Sequence, residues 1–420
     1  MITVIGLGFV GLTTGLGFSN KGYKVFGFDI DKKKINCIKN NRIPFFEPYL
    51  EEELKKNINK NFIIIDDLKQ GVSNSKVIFY CVGTPCNNDG STDLSYIFSA
   101  LKSTLKIIQN EKDYKVLVIK STIPPSTTKE KIKVFIENSG FKVGEDIGLT
   151  NNPEFLREGY AWYDFINPDR IVIGTEDKKS GDILEDIYKP FNAPIFKVSF
   201  NTAEFIKYLS NTLLSTLISF SNEMSIIAYT IGDINVQESF KILHLDKRWN
   251  GNPAHMTSYV YPGCGFGGYC LPKDTKALLV QSSDKGYSPY ILKSVLETNK
   301  KIKKYLIDKV IRIINKDEYI GILGLSFKPN SDDVRETPAK DIIKMLLDKG
   351  YNNIIAYDPI AVENFRKEYN FPIEYSNTLI DVVKKSAYLI ILTAWKEFKN
   401  NKDLIYKKNV WDFRYFMEQC

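Results

Sequence analysis

The chain opens on "ITVIGLGFVGLTTGLGFSNKGYKVFGFDID", a short apolar run that breaks into glycines. Gly6, Gly8 and Gly11 stand at G-x-G-x-x-G spacing between that strand-like run and helix-compatible sequence, and a second apolar run ends on Asp29. Few folds accept this order. It predicts a βαβ unit in a parallel sheet with a dinucleotide lying across the first turn. Gly6 permits the tight turn, Gly8 the close approach of a pyrophosphate, and Gly11 the contact of helix with strand. Asp29 at the second strand end accepts from the ribose hydroxyls, which favours NAD over NADP because a 2′-phosphate would be repelled. Two further runs, "KVIFYCVGTP" and "KVLVIKSTIPPSTT", read as strands reaching the carboxyl edge of the sheet. Thr84, Ser121 and Thr122 there are either cofactor-edge residues or plain turn chemistry.

A chain of 420 residues is too long for one simple core, so two or three domains are expected. Hydrophobic content of 43% and charged content of 25% are those of a globular protein. The excess of 57 basic over 50 acidic residues is modest and scattered. It calls for no nucleic-acid surface and suits an anionic small-molecule substrate. No leader-like segment and no apolar run long enough to span a membrane is found. The six cysteines follow no disulfide pattern, so a reduced, cytoplasmic setting is expected. The two histidines, His244 and His255, join no ligand cluster, so metal catalysis is not expected.

Residues 201–229, "NTAEFIKYLSNTLLSTLISFSNEMSIIAY", lack Pro and Gly and repeat apolar residues at helical spacing. They predict a long central helix, opened by an Asn201/Glu204 capping box and offering a homodimer surface. Lys207 and Asn211 interrupt its apolar face four residues apart, so they project from one side. The lysine there either snorkels to water or meets an anion. Beyond residue 318, "EYIGILGLSFKPNSDDVRETPA", "NNIIAYDP", "AYLIILTAW" and "NVWDF" predict a second α/β unit. In it, Gly321 to Asp358 echoes Gly6 to Asp29, and Lys328 lies near the first turn, ready for phosphate. The expected division is 1–196 for the dinucleotide, 197–300 for a central helical part, and 301–420 for a second Rossmann-like part. The fold class is therefore α/β: two Rossmann-like domains with parallel sheets, joined by the long helix.

The densest cluster is "PGCGFGGYCLPKD", residues 262–274. Pro272 suits the first turn of a helix through "PKDTKALLV", which places Cys270 just before its N-terminus. Helix dipole and nearby Lys207 or Lys273 are expected to lower the thiol pKa. Gly267 and Gly268 are expected to leave room for a sugar, while Cys264 is assigned to packing.

Taken in order, "GLGFVG", "VGTP", "STIPPSTT", "NPEFLREG", "NPDRIVIG", "AEFIKYLSN", "GFGGYCLPKD" and "SFKPNSDDVRETPA" resemble the UDP-glucose/GDP-mannose dehydrogenase family, most closely its bacterial UDP-glucose dehydrogenase branch. The resemblance implies two successive NAD-linked oxidations at C6 of a nucleotide sugar. It makes Cys270 the thiol that forms a thiohemiacetal and then a thioester. Lys207 and Asp274 handle protons and the attacking water, Asn211 steadies the oxyanion, and Glu154 with Thr122 assists hydrolysis. It assigns Val10, Lys34, Glu158, Lys273 and Arg335 to the cofactor along with the glycines. It assigns Phe155, Leu156, Arg157, Tyr259, Gly263, Phe266, Gly267, Lys328 and Arg414 to the sugar nucleotide. Two departures bear on which sugar is used: Arg248 stands earlier than the family's Arg-x-Gly element, and Phe413 replaces a common glycine beside Arg414. UDP-N-acetyl sugars and GDP-mannose are alternatives to UDP-glucose. A two-electron hydroxyacid dehydrogenase or a non-catalytic NAD sensor would leave Cys270 unexplained.

Overall fold

The computed structural model of the chain describes residues 1–111, 113–246, 261–284, 286 and 288–417. Arg248, His255 and Tyr259 lie outside them. The chain divides into two compact units, Met1–Leu209 and Ser210–Cys420.

Among the described residues, the first unit holds an eight-stranded sheet of order β3-β2-β1-β4-β5-β6-β7-β8. Its strands are β1 (Ile2–Ile5), β2 (Val25–Phe28), β3 (Phe62–Ile64), β4 (Val77–Tyr80), β5 (Val116–Ile119), β6 (Gly148–Asn151), β7 (Ile171–Thr175) and β8 (Ile195–Val198). β1 pairs in parallel with both β2 and β4 and is buried throughout, which is why its sequence is a continuous apolar run. Apolar clusters cover both faces. One includes Val4, Leu12, Phe18 and Phe79, the other Ile78, Leu101, Leu117 and Ile132.

One junction departs from the expected parallel sheet: β6 and β7 run antiparallel, through Thr150↔Thr175 and Asn151↔Gly174. The chain leaves β6 and enters β7 at the same sheet edge. The whole 152–170 connection, with "NPEFLREG", therefore stays at the carboxyl edge of β1, β4 and β5, where ligands bind in such sheets. β7 and β8 are parallel to one another. Through these registers Val198, at the end of β8, stands level with Gly174 and with Asn151 at the carboxyl end of β6, and the central helix, Phe200–Ile231, starts beside it. Its first turns pack against β7: a Cβ on Gly174 would overlap Ala203.

That helix begins one residue earlier than the proposed capping box. Ser199 is its N-cap, its Oγ accepting from Thr202 N at 3.3 Å. Glu204 does not reach back to cap. Its Oε1 accepts from Thr128 N at 2.8 Å, because the segment after β5 presents open amides to it. The helix runs through the division between the units.

The second unit carries a parallel five-stranded sheet of order β11-β10-β9-β12-β13: β9 (Ile320–Leu323), β10 (Ile354–Tyr357), β11 (Glu374–Tyr375), β12 (Tyr388–Ile391) and β13 (Asn409–Asp412). This repeats the first five strand positions of the first unit. The glycine equivalent to Gly6 is Gly324, not Gly321. Gly324 N donates to Tyr357 O at 2.8 Å as Gly6 N does to Phe28 O at 2.8 Å. Both adopt positive φ, +100° and +89°. Gly321 lies inside β9 instead, where a side chain would overlap Leu389 and Ser386. Asp358 matches Asp29: Leu325 N donates to its Oδ2 at 2.8 Å, and Leu7 N to Asp29 Oδ2 at 2.7 Å. The likeness stops there. Asp358 Oδ2 also accepts from Ser326 N, Ser326 Oγ and Trp395 Nε1, and its Oδ1 from Ile360 N and Ala361 N. With its lone pairs committed, Asp358 has no capacity for a ribose.

No helix among the described residues is long and apolar enough to cross a membrane.

Candidate active site

The dinucleotide turn of the first unit passes a steric test. A Cβ on Gly6 would overlap the backbone of Cys81 and Val82, and one on Gly11 would overlap Gly6 O, so the turn itself requires both glycines. Gly8 differs, since a Cβ there would meet nothing within 4 Å. Its protein surroundings do not demand glycine, whereas a pyrophosphate lying against the backbone would. Leu12 N to Gly8 O, 2.9 Å, is the first helical bond, so the Phe9, Val10 and Gly11 amides precede it and face the helix N-terminus. Asp29 accepts from Leu7 N and Lys34 Nζ (2.8 Å) on Oδ2 and from Asp31 N on Oδ1. Three of about four acceptor positions are used, leaving room for a ribose hydroxyl. These residues fit NAD.

Thr84 and Ser121 occupy the sheet's carboxyl edge as predicted, and their hydroxyls are engaged with backbone. Thr84 Oγ1 donates to Thr122 O at 2.9 Å, and Ser121 Oγ to Val82 O at 2.6 Å. Both therefore fix the ends of β4 and β5 and hold Thr122 in place, half-buried.

Glu154 and Lys207 meet on this edge, with Lys207 Nζ 2.8 Å from Glu154 Oε1 and both side chains buried. The lysine meets an anion rather than snorkelling. Glu154 Oε2 accepts from Leu156 N at 2.6 Å. Burial pushes the Glu154 carboxyl up, but Lys207, the Leu156 amide and Lys120 together hold it below the usual carboxylate range. Phe155 lies under Arg170, 4.2 Å from its ring centre, with Lys207 at 5.8 Å. Leu156 packs on the apolar core, and Glu158 is half-buried. Arg157 turns outward: its guanidinium grips Asp164, Nη2 to Oδ1 at 2.6 Å, and covers the Tyr160 ring. Sequence reasoning missed Glu47. Buried, it accepts from Gly159 N and Ala161 N, both at 2.8 Å, and pins the far end of the same segment.

In the second unit, Cys270 is itself the first residue of the helix Cys270–Asp284, which therefore begins earlier than the sequence suggested, with Pro272 inside the first turn. The thiol thus stands at the positive end of the helix. Asp274, fully buried one turn on, accepts from Asn211 Nδ2 on Oδ2. Lys273 Nζ lies 2.7 Å from Asp274 Oδ1, an ion pair whose angle is poor for a hydrogen bond. Burial pulls the Lys273 ammonium down, but Asp274 and the neighbouring Cys270 more than offset this and hold it above its ordinary value. Ser215, one turn beyond Asn211, and Thr275, the residue after Asp274, bond at 3.1 Å between the same two helices.

The glycines before Cys270 answer mainly to their own chain, contrary to the expectation that they make room for a sugar. A side chain at Gly267 would overlap Glu336 O, and one at Gly268 the Phe327 ring. Gly268 N donates to Arg335 O at 2.9 Å. Gly265, at φ +94°, faces Asn299, whose amide accepts from Phe266 N at 2.8 Å and donates to Phe266 O at 3.0 Å. This clamp, reached from the helix Tyr290–Val310, fixes Phe266. Gly263 N donates to Asn222 Oδ1 at 2.6 Å, and Arg414 Nη1 donates to Gly265 O at 3.3 Å. Arg414 therefore shares the loop with Gly263 and Phe266. Cys264 is buried within an apolar cluster. Arg335 stacks on Tyr269, 4.4 Å from its ring centre, and Lys328 stands 5.3 Å from the centre of the Phe327 ring.

Among the described residues, no group of three or more His, Cys, Asp or Glu side chains could hold a metal.

Comparison with known proteins accounts for the whole arrangement. Residues 1–192 match the NAD binding domain of the UDP-glucose/GDP-mannose dehydrogenase family, residues 201–301 its central domain, and residues 321–419 its UDP binding domain. The match thus extends through the C-terminal region, where the motifs quoted above had thinned. The chain is 37% identical to the UDP-glucose 6-dehydrogenase TuaD of Bacillus subtilis (strain 168), across 95% of this chain and 84% of that one. Among solved structures, it resembles a UDP-glucose dehydrogenase from Pyrobaculum islandicum (TM-score 0.90, 34% identity, covering 99% of this chain and 94% of that one). It also resembles a UDP-D-ManNAc dehydrogenase from Pyrococcus horikoshii (TM-score 0.85, 26% identity, covering 100% and 97%). A glycine turn built for a dinucleotide, an unbroken central helix and a cysteine at a helix start thus come together in one lineage: the chain belongs to the UDP-glucose/GDP-mannose dehydrogenase family and is an NAD-dependent dehydrogenase.

Proposed function

We propose that the chain oxidises UDP-glucose to UDP-glucuronate, consuming two NAD and one water and releasing two NADH. The observation that carries this reading is Cys270 at the first position of a helix whose next turn holds Asp274, bonded to Asn211. A two-electron alcohol oxidation has no use for that sulfur. An alcohol-to-acid oxidation does, because adding the thiol makes the aldehyde carbon tetrahedral, so that its one remaining hydrogen can leave as hydride. UDP-glucose is supported over UDP-D-ManNAc by the relatives that carry its name at higher identity, 37% and 34%, than the UDP-D-ManNAc dehydrogenase at 26%.

Bound NAD supplies the hydride acceptor for each oxidation, held by the Gly6–Gly11 turn and Asp29. The chain's own residues do the rest. The proton of the C6 hydroxyl passes to the Asp274 carboxylate as the alcohol becomes an aldehyde. Cys270 Sγ bonds to C6, and the carbonyl oxygen gains a proton to complete the thiohemiacetal. Asn211 and the Lys207 ammonium steady the oxygen while it is anionic; one such donor is worth about 3 kcal/mol of barrier. Loss of the second hydride and the hydroxyl proton leaves a thioester. Water then attacks with its proton passing to Glu154, the C–S bond breaks, and the sulfur regains a proton. Thr122, held by Thr84, orients that water.

In this reading residues 1–196 hold NAD, 197–300 carry the chemistry, and 301–420 hold the UDP group with Phe266, Gly267, Lys328 and Arg414. The active form is a homodimer joined through the central helix. Phe205, Leu209, Leu213 and Phe220, each 45–51% exposed, form one apolar stripe along it. The five described cysteines are free, which suits a reducing cytoplasm.

The test is a substrate panel of UDP-glucose, UDP-N-acetyl sugars and GDP-mannose. Two NADH per UDP-glucuronate formed support the reading. One NADH per sugar, or turnover confined to another nucleotide sugar, contradicts it.

A further inference from the structure

Beside the Glu154–Lys207 pair lies a second buried lysine that the reaction above leaves unused. Lys120 ends the β5 run, next to Ser121 and Thr122, and is only 3% exposed. Its hydrogen-bond partners are neutral: Asn152 Oδ1 at 2.9 Å, Asn152 O at 3.4 Å and Tyr188 Oη at 3.3 Å. Tyr188 Oη donates to the same Asn152 Oδ1 at 2.5 Å, and Asn152 N donates to Ile119 O at 2.8 Å. Asn152 is thereby held from several sides, and only Pro153 separates it from Glu154.

The charged and titratable groups facing Lys120 come from each element around it. They are Cys81 after β4, Tyr188 from the helix Lys178–Tyr188, Glu154 from the 152–170 connection, and Lys207 from the central helix. Phe165 and Tyr188 rings lie 5.9 Å from its Nζ. The thiol is no counterion, because burial pushes Cys81 up to about 12. Two ammonium groups therefore share one carboxylate in a buried cluster. A lysine serving only as a bolt would gain nothing from this position, since burying an ammonium without its own anion is costly.

We propose that Lys120 is a positioning residue for thioester hydrolysis: its ammonium locks Asn152, and so Glu154, in place and adds a second positive charge to the Glu154–Lys207 pair. The role rests on the reaction proposed above. Burial brings the ammonium itself down to about 8, against the raising effect of Cys81 and Glu154. The ammonium's hold on Asn152 is full below that pH and weakens above it, while Glu154 stays a carboxylate throughout, so hydrolysis slows as pH rises through about 8.

The experiment compares wild type with Lys120→Met and Tyr188→Phe in stopped-flow and steady-state NADH assays on UDP-glucose across pH 6–10, with circular dichroism to establish folding. Lys120→Met is expected to keep a first-turnover burst approaching two NADH per site. Its steady-state kcat is expected to fall by about tenfold or more, with both KM values falling alongside so that kcat/KM changes less than about threefold. It should also lack the wild-type alkaline limb. Tyr188→Phe keeps the ammonium but removes an acceptor from it, so its limb should move to lower pH. This second variant carries the test if Lys120→Met does not fold. An active wild type whose limb and kcat are unchanged in either folded variant overturns the proposal. Equal loss of burst and steady-state rate, with the limb retained, marks Lys120 as merely structural and overturns it too. A wild type that makes no NADH from any sugar on the panel sinks the dehydrogenase reading instead.

Discussion

Replacing Gly265 by alanine tests the account of the loop before Cys270 most stringently. Its φ of +94° is strained for any side chain, at a cost of about 1–3 kcal/mol. The new methyl would also overlap Asn299 Oδ1, forcing the amide off Phe266. Phe266 N and O lose bonds of 2.8 and 3.0 Å in a buried setting, at about 1 kcal/mol or more each. The sum is about 3–5 kcal/mol. For a unit of this size that lowers Tm by about 6–20 °C. Gly286→Ala is the control: φ is +88°, but a Cβ meets nothing within 4 Å, so the backbone term stands alone. Urea and thermal unfolding of the full chain should place Gly265→Ala about 2 kcal/mol below Gly286→Ala, with KM for UDP-glucose raised only in the former. Equal stability of the two variants would refute the Asn299 clamp.

Calorimetric titration should find one NAD per chain, because five donors besides Trp395 occupy Asp358; Trp395→Phe should cost about 1–2 kcal/mol of stability without creating a second NAD site. The Glu154 carboxyl lies below its ordinary value, so its stabilising effect is full at neutral pH and is lost as pH falls through the folded value. Glu154→Gln, which leaves Lys207 without its anion, should therefore be about 3–5 kcal/mol less stable at pH 7 in urea titrations. That gap should narrow below about pH 4. Leu209→Glu or Leu213→Glu places a charge in the exposed stripe, and light scattering should show monomers where the wild type is a dimer.

The parts of the site that follow from local chain geometry could be read from sequence. Gly6, Gly8, Gly11 and Asp29 announce themselves because a turn, a helix start and a strand end lie within one βαβ unit. Lys207 and Asn211 stand out because polar residues interrupt an apolar helical period. What stayed hidden depends on long-range pairing. β6, β7 and β8 are short, and the antiparallel β6–β7 junction that keeps Glu154 at the ligand edge leaves no periodic trace. Asn299 and Glu47 each act through a pair of backbone hydrogen bonds, 33 and more than 100 residues away. Lys120 sits at the end of an apolar strand, where a lone lysine looks like a surface residue. The glycines at 267 and 268 were legible as close contacts, but not their partners, Glu336 and Phe327.

The central claim is that the Cys270 sulfur bonds to the sugar's sixth carbon during turnover. Enzyme mixed with UDP-glucose and NAD, quenched in acid within one turnover and digested, should yield a Cys270 peptide heavier by the UDP-glucuronyl group. The Cys270→Ser enzyme should yield no corresponding adduct at the thiol's position, together with a severely reduced rate. A wild-type peptide that stays unmodified at every quench time, with full activity surviving alkylation of Cys270, would contradict it.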